Sequence, residues 1–299
     1  MQFAVWPGTQ QAWPDILDFA RHAELTGWDR VYVADHFMSN DESAGGPMLE
    51  CWAVITALAA AVPRIGIGTL VCGNTYRHPA VLAKAASTAD IVSGGRVVLG
   101  LGAGWQENEH QRYGIELPSV RERLDRFAEA CAIVRSLTTQ ERTTFHGEHY
   151  RLTDAPLEPK PIGPLPLLVG GGGEKRTLRI AAEHAQEWNA WSTPEVFAHK
   201  SAVLDRHCED VGRDPAEIRR STQALLFLSD DQAWLDRHRG TDLGRAAIVG
   251  TPAEVTEIVG RYRDAGVDEL IVPDFTLGTG QRRLDTLDRF NEEIAVHFR

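Results

Sequence analysis

Asp35 and His36 follow the apolar run RVYVA (30–34), so a carboxylate and an imidazole sit side by side at the end of a predicted strand. Such a pair can move a proton or orient a polar ring. The alternative is an aspartate that caps its own loop beside a histidine bonded to backbone. A second candidate is Gly170-Gly171-Gly172-Gly173, which joins the strand-like PLLVG (166–170) to a helix expected to begin at Glu174. Free N–H groups and the positive end of that helix suit a phosphate. Lys175, Arg176 and Arg179 add positive charge within two helical turns. Trp6, Trp52, Trp105, Trp188 and Trp191 fall at or near predicted strand ends. They suggest an aromatic-walled cavity for a flat or apolar ligand, with Trp6, Trp52 and Trp191 facing the substrate.

Other chemistries fit less well. GLGAG (100–104) is only part of a dinucleotide motif, because G-x-G-x-x-G needs glycine where Trp105 stands, and QENEHQRYGIELP opens no apolar helix. Its glycines instead let backbone approach a flat ligand or a neighbouring strand. No G-x-x-x-x-G-K-S/T, H-E-x-x-H or G-x-S-x-G occurs, which disfavours a Walker loop, a metallohydrolase and an α/β-hydrolase. His146 and His149 sit on a predicted hairpin edge, and no metal site is expected. Cys51, Cys72, Cys131 and Cys208 form no C-x-x-C pair and read as reduced, buried thiols.

The 299 residues carry 31 Lys+Arg against 42 Asp+Glu, a net charge of −11. That balance argues against a nucleic-acid or anionic-membrane partner held through a broad basic field. The longest apolar stretch, 52–62, has 11 residues and stops at Pro63, too short for about 30 Å of hydrocarbon. The N-terminus has no basic segment followed by a cleavage site, so a cytoplasmic location is expected.

These residues must be positioned by the elements around them. Strand-like and helix-like segments alternate along the chain: QFAVW (2–6), RVYVA (30–34), RIGIGTLVC (64–72), RVVLGLG (96–102), PLLVG (166–170) and EWNAWS (187–192) are strand candidates. RRSTQALLFL (219–228), AAIVG (246–250) and DELIVPDF (268–275) complete the set. The intervening helices include 119–138, with Val120, Leu124, Phe127, Ala128, Cys131, Val134 and Leu137 on one stripe. Residues 139–165 break the rhythm with a predicted hairpin and a proline-rich connector, read as an insertion within one domain spanning 1–299. About eight such units predict an α/β fold, a closed (β/α)8 barrel, with a doubly wound open sheet as the alternative. In a barrel, chemistry belongs at the C-terminal ends of the strands.

With these stretches laid out, the chain resembles the luciferase-like monooxygenase superfamily, and within it the coenzyme F420 (deazaflavin)-dependent oxidoreductases. The segments carrying the resemblance are GWDRVYVADHF (27–37), IGIGTLVCGNTYRHPAVLAKAASTADIVSGGRVVLGLGAGWQENEHQRYGI (65–115) and PLLVGGGGEKRTLRIAAEHAQEWNAW (166–191). The resemblance implies a bacterial luciferase-like TIM barrel with hydride moving at C5 of the deazaflavin, or FMN as the alternative flavin. By similarity, Leu70 and Val71 match the bulge, often a non-prolyl cis peptide, on which the ring rests. Asp35 and His36 match the pair near the ring, His36 being the proton donor or acceptor. Gly104 and Trp105 match residues at the ring's edge, and Gly171, Gly172, Gly173 and Glu174 match the phosphate cradle. Lys175, Arg176 and Arg179 could neutralise the anionic tail that F420 has and FMN lacks.

The sequence also departs from the resemblance. Sugar-phosphate dehydrogenases of the group have glutamate where Trp105 stands, Trp191 replaces a smaller polar residue, and Gln186-Glu187 stands for a usual Asp-Gly. The resemblance implies a small-molecule substrate and a homodimer. An FMN-dependent monooxygenase and a non-catalytic flavin-binding protein are the competing functions.

Overall fold

The computed structural model describes residues 1–40, 45–241 and 243–299. Of the three loops expected from the sequence to shape substrate choice, 38–50, 106–118 and 229–245, residues 41–44 and 242 lie outside the described residues. Eight parallel strands close on themselves: Gln2–Trp6, Arg30–Val33, Gly66–Thr69, Val97–Gly102, Leu167–Gly170, Glu187–Asn189, Arg219–Gln223 and Glu269–Pro273. Their order around the barrel is their order in the chain, and the first strand pairs with both the second and the eighth. This is the (β/α)8 barrel expected from the alternation.

Each barrel strand is buried on both faces, so Val97–Gly102 and Leu167–Gly170 read as unbroken apolar runs, while Arg219–Gln223 is polar throughout. Phe3, Val5, Val31, Val33, Leu99, Leu167, Val169 and Leu270 face the helices and join the large outer core. Their neighbours Ala4, Tyr32, Val98, Leu168 and Ile271 form a separate small cluster inside the barrel, joined by Leu70. Below that cluster the interior is closed by charge. Arg30 Nη1 reaches Glu187 at 2.8 Å and Glu269 at 3.3 Å, and Tyr32 donates to Glu269 at 2.9 Å. Burial pushes the Glu269 carboxyl above its ordinary range, opposed by the charges of Arg30 and Arg219. The barrel is thus filled at its middle and N-terminal end, leaving the other end for ligands.

The helices start and stop on local signals. Pro79–Ser93 opens on proline at its first turn with the His78 ring accepting from Ala80 N–H, and closes on Gly94 at φ 76°. Val120–Thr139 is capped by Ser119, and Pro252–Asp264 carries a full Thr251–Glu254 capping box.

Four expectations shift. The segment 219–228 divides at Ala224: Arg219–Gln223 stays in the barrel, while Leu225–Leu228 pairs in parallel with Ala247–Gly250 as a separate two-stranded sheet. AAIVG is therefore a strand outside the barrel, because an apolar run specifies a buried strand but not the sheet that receives it. EWNAWS shortens to Glu187–Asn189. QENEHQRYGIELP does contain a helix, Glu107–Tyr113, whose buried face is Glu109 and His110 and so shows no apolar stripe. The helix expected at Glu174 begins at Thr177, after a turn. Residues Arg142–His146 and Arg151–Pro156 form the antiparallel hairpin. The four cysteines are buried and unpaired. Among the described residues no helix is long and apolar enough to cross a membrane.

Candidate active site

A cavity of about 1080 Å³ opens at the C-terminal mouth of the barrel. Trp6, Asp35, His36, Leu70, Val71, Gly104, Trp105, Gly171 and Trp191 all line it, so nine residues singled out in the sequence converge on one place.

Asp35 and His36 continue the second strand into this mouth and take different partners. Arg77 grips the Asp35 carboxylate at 2.6 and 3.0 Å, and Gly73 N–H adds a bond at 3.3 Å. Burial raises the Asp35 pKa, and these bonds only partly offset it. Arg77 Nη2, which donates to Asp35 Oδ1, also donates to Glu50 at 2.6 Å. His36 Nδ1 lies 2.8 Å from Glu109, whose side chain has no exposed surface. Tyr76 OH and Phe37 N–H donate to the same carboxylate. Burial alone would raise the Glu109 pKa, but the bonds from His36, Tyr76 and Phe37 outweigh it and hold the carboxyl below its ordinary value. His36 Nε2 has no partner among the described residues, and the ring lines the cavity.

The Leu70–Val71 peptide is cis, directly after the third barrel strand. Leu70 packs into the inner cluster, and Val71 projects into the mouth against the fourth and fifth strands. Gly170 makes room for it, since a Cβ there would stand 2.8 Å from both Val71 methyl groups. Gly104 adopts φ 83°, and its carbonyl is held by Arg123 at 2.7 Å. The exposed Trp105 meets the His36 ring edge-on at 5.7 Å.

In the glycine run, Gly170 and Gly171 reach the cavity, as does Thr177 at the start of the following helix. Gly172, Gly173 and Glu174 do not line it, although the N–H groups of Gly172 and Gly173 have no partner among the described residues. Lys200 Nζ holds the Gly172 carbonyl at 2.7 Å, and the Glu174 carboxylate is engaged by His199 at 3.1 Å. Arg176 pairs with Asp125 and Arg179 with Glu183, each at 2.5 Å, so two of the three cations expected to meet an anionic tail are committed to neighbours. Lys175 is left exposed.

Two tryptophans belong elsewhere. Trp52 sits in the outer core on the helix Cys51–Ala61 and does not line the cavity, correcting its place in the substrate wall. Trp188 is also core, stacked on Phe197 at 5.2 Å, with its indole N–H given to the Gly171 carbonyl at 2.9 Å. Trp188 faces the core by strand parity, which the sequence leaves one residue uncertain, and Trp52 is in the first turn of a helix, whose buried face sets its direction. Glu109, Tyr76, Arg77 and Gln223 escaped the sequence reading. Glu109 and Gln223 carried one legible signal, a polar residue at a position their element buries.

A cavity of this size suits a tricyclic ring, the Gly170 cradle leaves Val71 flush beneath it, and unpaired N–H groups await an anion beside it. The residues present therefore fit a flavin-like group with a phosphate. A family model described as luciferase-like monooxygenase matches residues 1–241. The chain belongs to the luciferase-like monooxygenase family. This luciferase-like chain is 34% identical over 337 residues to the F420-dependent glucose-6-phosphate dehydrogenase of Microbacterium testaceum, covering 100% of this chain and 98% of that protein. It is 37% identical over 161 residues to the protein of that name from Amycolatopsis mediterranei, spanning 53% of this chain but only 48% of the relative. Among solved structures, an F420-dependent secondary alcohol dehydrogenase in complex with an F420-acetone adduct superposes with a TM-score of 0.85 at 22% identity, over 98% of each chain. That likeness shows a shared fold.

Proposed function

We propose that this luciferase-like protein is an oxidoreductase that uses coenzyme F420 to pass a hydride to or from a small organic substrate. The observation that carries the reading is the His36 imidazole, clamped through Nδ1 by a buried carboxylate and presenting its other nitrogen to a cavity of ring size. Curated relatives named as F420-dependent support the deazaflavin over FMN. Bound coenzyme F420 supplies the hydride acceptor or donor at C5 of its deazaflavin.

The protein's residues do the rest. Leu70 and Val71 give the ring a platform, and Gly104 and Trp105 flank its edge. Gly172, Gly173 and Glu174 bring backbone N–H groups to the phosphate, and Gly171, whose own N–H donates to the Asn189 carbonyl at 2.8 Å, turns the chain toward it at φ 125°. Asp35 fixes the mouth of the second strand through Arg77 and Gly73. Glu109 accepts from His36 Nδ1–H, which leaves Nε2 to take up or give the substrate proton. The reading includes a homodimer in the cytoplasm, the former tested by sedimentation.

Titration of the purified protein with coenzyme F420 and with FMN, followed by fluorescence, tests the assignment. Micromolar binding of F420 with weak or no binding of FMN is expected; binding of FMN alone overturns it.

A further inference from the structure

The Glu109 carboxylate does not serve His36 alone. Its Oε2 accepts the Phe37 N–H at 2.8 Å, while its Oε1 accepts both His36 Nδ1–H at 2.8 Å and the Tyr76 hydroxyl. Three donors thus meet one carboxylate whose side chain has no exposed surface, and two of them share a single oxygen. An oxygen that divides its charge between two donors gives each a weaker bond than it would give one alone. What Glu109 lends to the basicity of His36 is therefore set in part by Tyr76.

Tyr76 lines the cavity and is held for this contact from three sides. Its ring lies over Gly73, where an added Cβ would stand 2.5 Å from Cε2. Phe37 meets the ring at 4.8 Å, edge to face, and the His110 ring stacks on it at 4.9 Å. His110 is fixed in turn, with Nδ1–H given to the Gln106 carbonyl at 2.6 Å and Nε2 accepting the Thr75 hydroxyl at 2.7 Å. Phenylalanine would meet these packing contacts equally well, so the hydroxyl is the part that needs another account. Burial, followed by the bond to Glu109, pushes the Tyr76 phenol far above its ordinary value, and the group stays a donor throughout the neutral range. Among the described residues the other charged groups beside this set are Asp35, next to His36 on its strand, with Arg77 bound to it and to Glu50.

We propose that Tyr76 is a positioning residue of the proton step: by drawing on Glu109 Oε1, its hydroxyl limits how strongly the carboxylate favours the imidazolium form of His36, so that the ring can release a proton as well as take one. The proposal rests on the reading of His36 as the proton-handling group beside coenzyme F420.

The test is Tyr76→Phe, with His36 titrated in the coenzyme-free protein by NMR of histidine Cε1–H and its resonance identified by its absence in His36→Gln. The His36 midpoint is expected to rise by about half a pH unit to one pH unit, with the F420 Kd changed less than about threefold. In the loaded enzyme the pH dependence of kcat moves the same way. Added to Glu109→Gln, Tyr76→Phe has no further effect on the midpoint, because the carboxylate that transmits it is gone. A midpoint that stays in place or falls, with only stability or KM altered, overturns the proposal and leaves the hydroxyl a packing feature. A rise that persists in the double variant overturns it as well. Failure of F420 to bind, or unchanged turnover in His36→Ala, instead overturns the functional reading, and the titration still decides the coupling of Tyr76 to His36.

Discussion

His36 Nδ1 and Glu109 Oε1 stand 2.8 Å apart although 73 residues separate them in the chain. The contact joins the end of a barrel strand to a short polar helix that follows two strands later, and it leaves one face of the imidazole directed to the cavity. Replacing His36 by Ala removes the proton-handling group without touching the platform or the phosphate turn. Turnover is expected to fall by about a hundredfold or more, with the F420 Kd changed less than about threefold. Unchanged turnover with intact coenzyme binding excludes His36 from the proton step.

Glu109→Gln keeps the shape of the carboxylate but alters what it can accept from His36, Tyr76 and Phe37. A partner that orients a functional histidine is worth about ten- to a hundredfold in activity. The expected pattern is a fall in kcat of that size at nearly constant KM, with a changed pH profile. A loss confined to KM would argue that Glu109 shapes the pocket and does not orient the ring.

The same substitution has a signature in stability against pH. Although burial alone would raise it, the Glu109 carboxyl is held below the ordinary glutamate value by its bonds from His36, Tyr76 and Phe37, so the unfolded chain binds its proton more readily than the folded one. Its contribution is present above that value and is lost as pH falls through the lower folded one. The stability gap between wild type and Glu109→Gln, measured by urea unfolding, is therefore constant near neutrality and shrinks as the pH falls through and below the ordinary glutamate range. A gap that widens on acidification contradicts the assignment.

Arg77→Met strips both guanidinium bonds from Asp35, whose side chain has no exposed surface. Breaking a buried pair from one side costs about 3–5 kcal/mol, and Asp35, already pushed up by burial, becomes easier to protonate. Urea unfolding at neutral pH reads the loss. Asp35→Asn added to Arg77→Met recovers part of it, because the uncompensated charge is gone.

Gly170→Ala places a methyl group 2.8 Å from Val71 Cγ1 and Cγ2. Overpacking of this kind costs about 1–3 kcal/mol, and Val71 is displaced into the space meant for the ring. Coenzyme affinity is expected to drop about tenfold. Val71→Ala in the same chain restores the space, so the double variant regains stability relative to Gly170→Ala alone. Additive losses in the two variants would mean the side chains do not meet.

The barrel was legible because its signals are local. Val31 and Val33 bracket Tyr32 with a period of two, Gly94 ends one helix and Thr251–Glu254 starts another, and each pattern acts within a few residues. The same locality placed Asp35, His36 and Gly171 at strand ends, and the family resemblance singled out Leu70, Val71 and Gly104; all six line the mouth. It failed at AAIVG, which is a strand but not a barrel strand, and at Glu174, which lies before its helix.

By itself, then, the amino-acid sequence determined the succession of strands and helices and the loops at which chemistry gathers, since hydrophobic period and capping chemistry are properties of neighbours in the chain. The tertiary structure alone decided the partners. It set Glu109 on His36, Arg77 on Asp35 across 42 residues, Asp125 and Glu183 on the cations near the glycine turn, and Trp52 in the core with Trp6 and Trp191 at the cavity. A side chain's pattern specifies which face of its own element it occupies. What stands opposite that face depends on the twist, stagger and closure of all eight strands together, which no short stretch of sequence encodes.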